Sequence, residues 1–401
     1  MRETWRWFGP EDQVALQAVA QAGATGIVSA LHHLHPGVTW PLAEITARQN
    51  MVQRAGEELG HPLEWMVVES LPVSEDIKRQ AGQWRDHVEA YKQSLSNLAS
   101  AGIEVICYNF MPILDWTRTD LAHRLPNQAT CMRFDLVDFI MFDVFVLDRK
   151  GASEDFPEDL VEQARARLAQ TNEARKTELV ENVICGLPGG AGKLTLDQVK
   201  EQLDHYKGID HRQLAQNHID FMELVAPHAE DLGLRLCCHP DDPPYPLLGL
   251  PRIMSTEADY KRLIEAVDIP ANGITLCSGS LGARADNDLT GMMQRLGTRV
   301  HFLHLRNVKR EHASLFGSFH EAEHLAGDTD MPALIAAVLA EEARRRDQGR
   351  PDHSIPFRPD HGQDILDDLG RKAQPGYPAI GRLKGLAELR GVIAGLSHKA
   401  A

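Results

Sequence analysis

Four side chains of the kinds that bind metal ions stand at the ends of four consecutive apolar runs in the second half of the chain. In order they are His239, Cys277, His304 and Asp360, which offer two imidazoles, a thiolate and a carboxylate. A single histidine or cysteine in an apolar run is more often a packed core residue. As a set, these donors suit a first-row divalent ion such as manganese, iron, cobalt or zinc. The pattern predicts one metal site, provided that the four runs end side by side.

The runs that carry these donors have the length and composition of buried strands, and they cover 234–239, 274–277, 300–307 and 355–358. Earlier strand-like runs alternate with amphipathic segments at 4–8, 26–31, 65–69 and 104–110. This alternation predicts a parallel sheet, and eight such units close a TIM (β/α)8 barrel. Because barrel enzymes place their chemistry at the C-terminal ends of the strands, the four donors would converge on one barrel mouth.

The helices predicted in the first half end at glycines, and the two longest cover 42–59 and 75–101. Residues 111–233 are too many for an ordinary connection. We interpret 1–401 as a single barrel domain and 111–233 as a largely helical insertion after the fourth strand, with helices near 159–183, 196–207 and 211–232. Such an insertion at the catalytic face would serve as a lid or an oligomer contact. A last helix, near 379–396, would cover the barrel.

One glycine-rich segment, 186–193, resembles a phosphate-binding loop. It lacks the glycine and the hydroxyl residue that the motif requires at Leu187 and Leu194, so we predict a mobile loop instead.

Composition restricts the class of protein. With 42 Lys and Arg against 57 Asp and Glu, the formal charge of −15 opposes general binding to nucleic acid. The sequence contains no run of about 18 uncharged apolar residues, so we predict neither a membrane span nor a signal peptide. The six cysteines form no CxxC pair, which favours reduced thiols in a cytoplasmic protein.

Strand alternation separates neighbouring candidates. Cys237 and Cys238 should point to opposite faces of their strand, one into the barrel, and both are expected to be structural. His301 and His304 also lie on opposite faces, and His304 is nearer the C-terminal end of its strand. His304 is therefore the better candidate ligand.

Basic residues near the strand ends could bind an anion. Arg306 and Lys309 follow His304, Arg358 precedes Asp360, and Arg118 follows the fourth strand. Two of them facing the mouth would make an anion site, and each taken alone would equally suit a salt bridge.

Proton transfer has its own candidates near the last strand. His361 and Tyr377 would supply protons beside the metal, although a supporting histidine and a packed tyrosine are the ordinary alternatives. The cluster at 320–324, which includes His320, Glu321 and His324, would either close over the pocket or form a solvated loop.

A set of distinctive segments runs from the first strand to the last helix: Arg6-Trp7-Phe8-Gly9-Pro10, Ala22-Gly23-Ala24-Thr25-Gly26 with His32-His33, Cys107-Tyr108-Asn109-Phe110-Met111-Pro112, Asp115-Trp116-Thr117-Arg118-Thr119-Asp120, His239-Pro240-Asp241-Asp242-Pro243-Pro244, Cys277-Ser278-Gly279-Ser280-Leu281-Gly282-Ala283, Arg358-Pro359-Asp360-His361-Gly362 and Gly376-Tyr377. In these segments the sequence resembles the metal-dependent mannonate dehydratases.

The resemblance implies a xylose-isomerase-like TIM barrel that binds Mn²⁺ or Fe²⁺. It implies conversion of D-mannonate to 2-keto-3-deoxy-D-gluconate and water in hexuronate (glucuronate) breakdown. The implied metal ligands are His239, Cys277, His304 and Asp360. The implied acid and base are His361 and Tyr377, in an order that stays open. The expected substrate-binding residues are Arg306, Asn109, Arg118 and Trp7. We also expect a homo-oligomer, either a dimer or a tetramer.

Without the resemblance, two other functions fit the residues. The same barrel and ion would serve a sugar isomerase or epimerase, which releases no water. A metal that only stabilises a sugar-acid binding protein would give no turnover. The donor pattern supports metal-dependent carbohydrate chemistry, and only the resemblance selects dehydration of mannonate.

Overall fold

Eight parallel strands close into a barrel in the computed structural model, which describes residues 1–185, 194–312 and 314–398. The barrel strands are β1 (Arg2–Arg6), β2 (Gly26–Ser29), β3 (Glu64–Glu69), β4 (Val105–Tyr108), β7 (Arg235–Cys238), β8 (Asn272–Cys277), β9 (Val300–His304) and β12 (Pro356–Arg358), and the remaining strands lie outside the barrel. Around the barrel their order is β1-β12-β9-β8-β7-β4-β3-β2. The predicted TIM barrel is confirmed. The glycine-rich segment 186–193 lies outside the described residues.

Helices surround the barrel and fill most of the predicted insertion. The α-helices are Leu16–Gln21, Leu42–Leu59, Glu75–Arg79, Trp84–Ser100, Leu136–Ile140, Glu158–Gln170, Glu173–Ile184, Leu196–His205, His211–Asp231, Glu257–Ala266, Ser278–Gly282, Leu289–Leu296, Met331–Asp347 and Ala379–His398. A π-helical turn spans Met141–Val146, and short 3-10 turns span Ala152–Asp155, Gly297–Arg299 and Leu366–Gly370. Among the described residues no helix is both long enough and apolar enough to cross a bilayer.

Two predicted helices are each divided in two. The helix expected at 75–101 breaks after Arg79, because Gln80 and Gly82 take left-handed φ values of 51° and 57°. The stretch expected at 159–183 breaks at Asn172, whose side chain accepts a hydrogen bond from the amide of Arg175 and begins a second helix.

A small antiparallel sheet beside the barrel was not predicted. Its order is β10-β11-β6-β5, formed by β5 (Asp120–Arg124), β6 (Thr130–Phe134), β10 (Asn307–Arg310) and β11 (Phe319–Ala322). The run expected as one strand at 300–307 therefore ends at His304 in the barrel and resumes in this sheet. The segment 320–324 lies partly in β11, which excludes a simple solvated loop.

Side chains inside the barrel form layers. An inner apolar layer contains Cys237 and Phe302 together with Val28, Val67, Val105 and Cys107. Cys238 instead packs in the outer core between barrel and helices, as strand alternation predicted. His239 lies two residues after Cys237, and His304 lies two residues after Phe302, so each histidine is on the same face of its strand as the apolar residue before it. The two histidines therefore lie directly above this apolar layer.

Candidate metal centre

Three of the predicted ligands meet at the barrel mouth. The ligand atoms of His239, Cys277 and His304 all lie within 4.8 Å of one another. The strand register places Cys277 level with His304, and His304 level with Arg358, across adjacent strands; His239 comes directly after the end of β7. All three side chains come from the C-terminal ends of β7, β8 and β9.

The hydrogen bonds of the two rings fit a cation between them. Nδ1 of His239 lies 2.7 Å from the Pro240 carbonyl, and Nε2 of His304 lies 3.2 Å from Oε2 of Glu69. Both acceptors require an N–H, so in neutral rings the opposite nitrogens carry lone pairs. Those two nitrogens, Nε2 of His239 and Nδ1 of His304, face each other at 3.0 Å. Burial would lower the pKa of His239, but its hydrogen bond to Cys277 and the charge of that thiolate raise it to about 10. In the metal-free site His239 therefore carries a second proton, and a divalent ion, which the donor set suits, would take the place of that proton.

Cys277 is placed to ligate as a thiolate. Its Sγ accepts a hydrogen bond from the Ser280 amide at 3.4 Å. Burial would raise the pKa of this thiol, but the positive charge of Arg306 and a hydrogen bond from His239 hold it well below its usual value. Since the thiolate is the form that binds metal, the site favours coordination.

Asp360 lies beside these three side chains. Its Oδ2 is 3.8 Å from Sγ of Cys277 and 4.0 Å from Nδ1 of His304. The same carboxylate is paired with Arg306 and Arg358. Burial would raise the pKa of Asp360, but the charges around it, with Arg358 foremost, keep it well below its usual range. The carboxylate is therefore ionised, and its role as a fourth ligand stays a prediction.

His361 and Tyr377 form a hydrogen-bonded pair next to Asp360. Nε2 of His361 lies 3.2 Å from the Tyr377 hydroxyl, and Nδ1 lies 3.0 Å from Oε1 of Glu321. A carboxylate can only accept, so Nδ1 donates to Glu321 and Nε2 accepts from Tyr377. Burial raises the pKa of Tyr377 to about 12, against the opposing charge of Arg358. Tyr377 thus holds its proton at neutral pH while His361 presents a lone pair to it.

The two arginines expected to bind an anion are both paired. Arg118 makes two hydrogen bonds to the Asp242 carboxylate, at 2.8 and 3.1 Å, and a third to Glu321 at 3.1 Å. Arg306 pairs with Asp242, Glu321 and Asp360. Both arginines are therefore held in buried salt bridges, and their role in substrate binding stays a prediction. Arg306 also lines the small cavity beside the ligands, whereas Arg118 does not.

Asn109 and Trp7 occupy different environments. Asn109 lines the small cavity of about 20 Å³ beside the ligands and also a neighbouring cavity of about 520 Å³. Asp115 lines both cavities as well. Its Nδ2 donates to Asp115 at 3.0 Å, while its buried Oδ1 has no hydrogen-bond partner among the described residues. Trp7 packs in the outer core with the Arg48 guanidinium 5.4 Å from its ring centroid, and it lines neither cavity.

Sequence reasoning missed Arg6 and Glu69, which complete the mouth. Oε1 of Glu69 lies 2.8 Å from Nη1 of Arg6, and the carboxylate accepts two hydrogen bonds from Arg358 at 2.7 and 3.0 Å. Both residues end a barrel strand, the position that identified the metal ligands. Their position at strand ends was therefore a signal, but an arginine or a carboxylate there is too common to stand out by itself.

Comparisons with known proteins agree over the full length. A family profile described as D-mannonate dehydratase (UxuA) matches residues 1–401. Mannonate dehydratase 1 of Agrobacterium fabrum is 56% identical over 398 residues, which cover 99% of this chain and 98% of the relative. The mannonate dehydratase of Rhizobium meliloti is 55% identical with the same coverage. The crystal structure of mannonate dehydratase from Streptococcus suis serotype 2 superposes with a TM-score of 0.75 at 31% identity, covering 100% of this chain and 94% of that one.

Proposed function

The chain belongs to the D-mannonate dehydratase family, a family of hydro-lyases, and from this premise we propose how its barrel mouth converts D-mannonate into 2-keto-3-deoxy-D-gluconate and water. His239, Cys277, His304 and Asp360 would hold Mn²⁺ or Fe²⁺. The observation that carries the proposal is the pair of ring nitrogens that face each other at 3.0 Å beside the Cys277 thiolate. When bound, the ion supplies Lewis acidity that stabilises negative charge developing next to the substrate carboxylate.

The hydrogen bonds around His361 suggest which residue is the base. Its Nδ1–H is engaged by Glu321, so Nε2 carries the lone pair, which would become available to the substrate once the Tyr377 hydroxyl turns to the departing oxygen. We assign His361 as the base that takes the proton from C2. Tyr377, protonated at neutral pH, is assigned as the acid that protonates the departing C3 hydroxyl.

This assignment balances the protons. The C2–H electron pair forms the C2–C3 double bond as the C3–O bond breaks, and the oxygen leaves as water with the Tyr377 proton. His361 then returns the proton it took to the tyrosinate through their 3.2 Å contact. The enol so formed becomes the 2-keto product, and both residues regain their starting protonation states.

The two cavities suggest how a six-carbon sugar acid would lie. The space of about 20 Å³ beside the ligands fits only the reacting end, while the adjoining space of about 520 Å³ can take the hydroxylated tail. Asn109 and Asp115 stand on the shared wall, and the unpaired Oδ1 of Asn109 can accept a hydrogen bond from a tail hydroxyl. Arg306 would contact the reacting end.

The insertion is proposed as a lid over this larger cavity. Part of the wall of this cavity is formed by residues of the insertion, Ile184, Cys185, Leu194, Gln202 and His205. Movement of this wall would admit substrate and then exclude water during the reaction.

A single assay series tests the proposal. Protein stripped with a chelator is re-supplied with one metal at a time and offered D-mannonate, other aldonic acids and aldoses. We expect a 2-keto-3-deoxy acid from mannonate with Mn²⁺ or Fe²⁺ and none without metal. An isomer or epimer formed without loss of water, or equal turnover after chelation, would refute it.

A further inference from the structure

Glu69 reaches across the barrel to one of the metal ligands. It ends β3, which lies four strands from β9 in either direction around the barrel, so the two strands are diametrically opposed. Its buried carboxylate nevertheless lies 3.2 Å from Nε2 of His304. We propose that Glu69 is a positioning residue that holds His304 in the tautomer and orientation that present Nδ1 to the metal. This inference rests on the metal site proposed above.

The geometry favours one tautomer of His304. An ionised carboxylate accepts but cannot donate, so a hydrogen bond at Nε2 places the ring proton there and leaves the lone pair on Nδ1. Nδ1 is the nitrogen that faces His239 and lies near Asp360. A carboxylate behind a ligating imidazole also makes the ring a stronger donor.

The surroundings of Glu69 keep its carboxylate fixed and ionised. Arg358 donates two hydrogen bonds to it, and Arg6 lies within ion-pair distance from the other side. Arg358 also pairs with Asp360, so one guanidinium connects the support of His304 to the proposed fourth ligand. The first half of the chain therefore contributes to the metal site through charge rather than through a ligand.

A purely structural role is the competing explanation. Glu69 would then serve only to neutralise Arg6 and Arg358, two buried cations that cost free energy without a partner. That role predicts lower stability of the metal-free protein after substitution, with no change in metal affinity. The positioning role predicts a change in metal affinity itself.

The test measures metal binding without substrate. Chelated wild type, Glu69→Gln and the control Glu64→Gln are titrated with Mn²⁺ by calorimetry. Glu64 lies on the same strand but is exposed, in a 3.9 Å ion pair with Arg2. We expect Glu69→Gln to weaken Mn²⁺ binding about 10- to 100-fold and the control to leave it unchanged. With Co²⁺ in place of Mn²⁺, the absorption spectrum of Glu69→Gln should shift as the His304 ligand reorients.

A second variant covers the case in which Glu69→Gln does not fold. Glu69→Asp keeps the negative charge for both arginines but shortens the reach to His304, so it too should weaken Mn²⁺ binding. Folded variants with wild-type Mn²⁺ affinity and Co²⁺ spectrum would overturn the inference. If wild type itself bound no divalent ion, the proposed metal centre would fail as well, and the two failures are thereby distinguished.

Discussion

Replacing His361 with alanine should remove catalysis and leave metal binding intact. The side chain is buried, touches Tyr377 and Glu321, and its Nε2 is 3.7 Å from Oδ1 of Asp360 rather than among the ligand atoms. Loss of a general base costs about 10²- to 10⁴-fold in kcat, or roughly 2.7–5.5 kcal/mol of activation free energy.

The same substitution should lower stability only moderately. Glu321 keeps its contacts to Arg118 and Arg306, so the Tyr377 hydroxyl is the group that loses a partner, at about 1–3 kcal/mol. Steady-state rates on mannonate at saturating Mn²⁺, Mn²⁺ titration and urea unfolding measure the three quantities. The control His33→Ala removes a half-exposed histidine and should stay near wild type. Wild-type kcat in His361→Ala, or a parallel loss of Mn²⁺ affinity, would refute the assignment.

Three further outcomes follow from the contacts. Tyr377→Phe keeps the packing but removes the acid, so kcat should fall about 10²-fold or more while the thermal midpoint stays close to wild type. Arg118→Ala leaves the buried Asp242 with one arginine fewer, and urea unfolding should show a loss of about 3–5 kcal/mol; a loss below 1 kcal/mol would contradict it. Burial would raise the pKa of Glu311, but hydrogen bonds from Arg133, which have the larger effect, and from His320 lower it from 4.5 to about 2. The pKa of Glu311 is therefore lower in the folded than in the unfolded protein, so this carboxylate stabilises the fold above pH 4.5 and ceases to do so toward pH 2. Between these pH values the thermal midpoint of Glu311→Gln should depend less on pH than that of the wild type.

The barrel and its ligands were accessible from sequence because each strand is short, apolar and followed by a chemically distinctive residue. His239, Cys277 and His304 need only the rule that parallel strands of a barrel end at one face. Glu69 obeys the same rule, but a carboxylate at a strand end is ordinary, and only the closed order of strands shows that it faces His304 across the lumen.

Other features depend on contacts that no local pattern encodes. The hairpin at 120–134 has a polar, half-exposed first strand, Asp120–Arg124, so it lacks the alternation that signals a strand. Glu321 reaches the site only because β11 pairs with both β6 and β10. The helix break after Arg79 follows from two left-handed residues, Gln80 and Gly82, in a stretch whose apolar spacing continues on both sides.

The charges at the barrel mouth explain why a metal ion would be needed to bind the substrate as well as to activate it. Ion pairs join four buried arginines to four buried carboxylates: Arg6, Arg118, Arg306 and Arg358 with Glu69, Asp242, Glu321 and Asp360. These eight charges cancel, so the arginines offer no net positive charge to a sugar acid. A divalent cation held by two neutral histidines and the Cys277 thiolate would outweigh the thiolate charge and leave one positive charge among these groups to attract the carboxylate of an aldonate. We therefore expect calorimetry to detect mannonate binding to the Mn²⁺-loaded His361→Ala variant and none to the chelated form. Equal affinity in both would mean that the arginines, despite their partners, form the anion site by themselves.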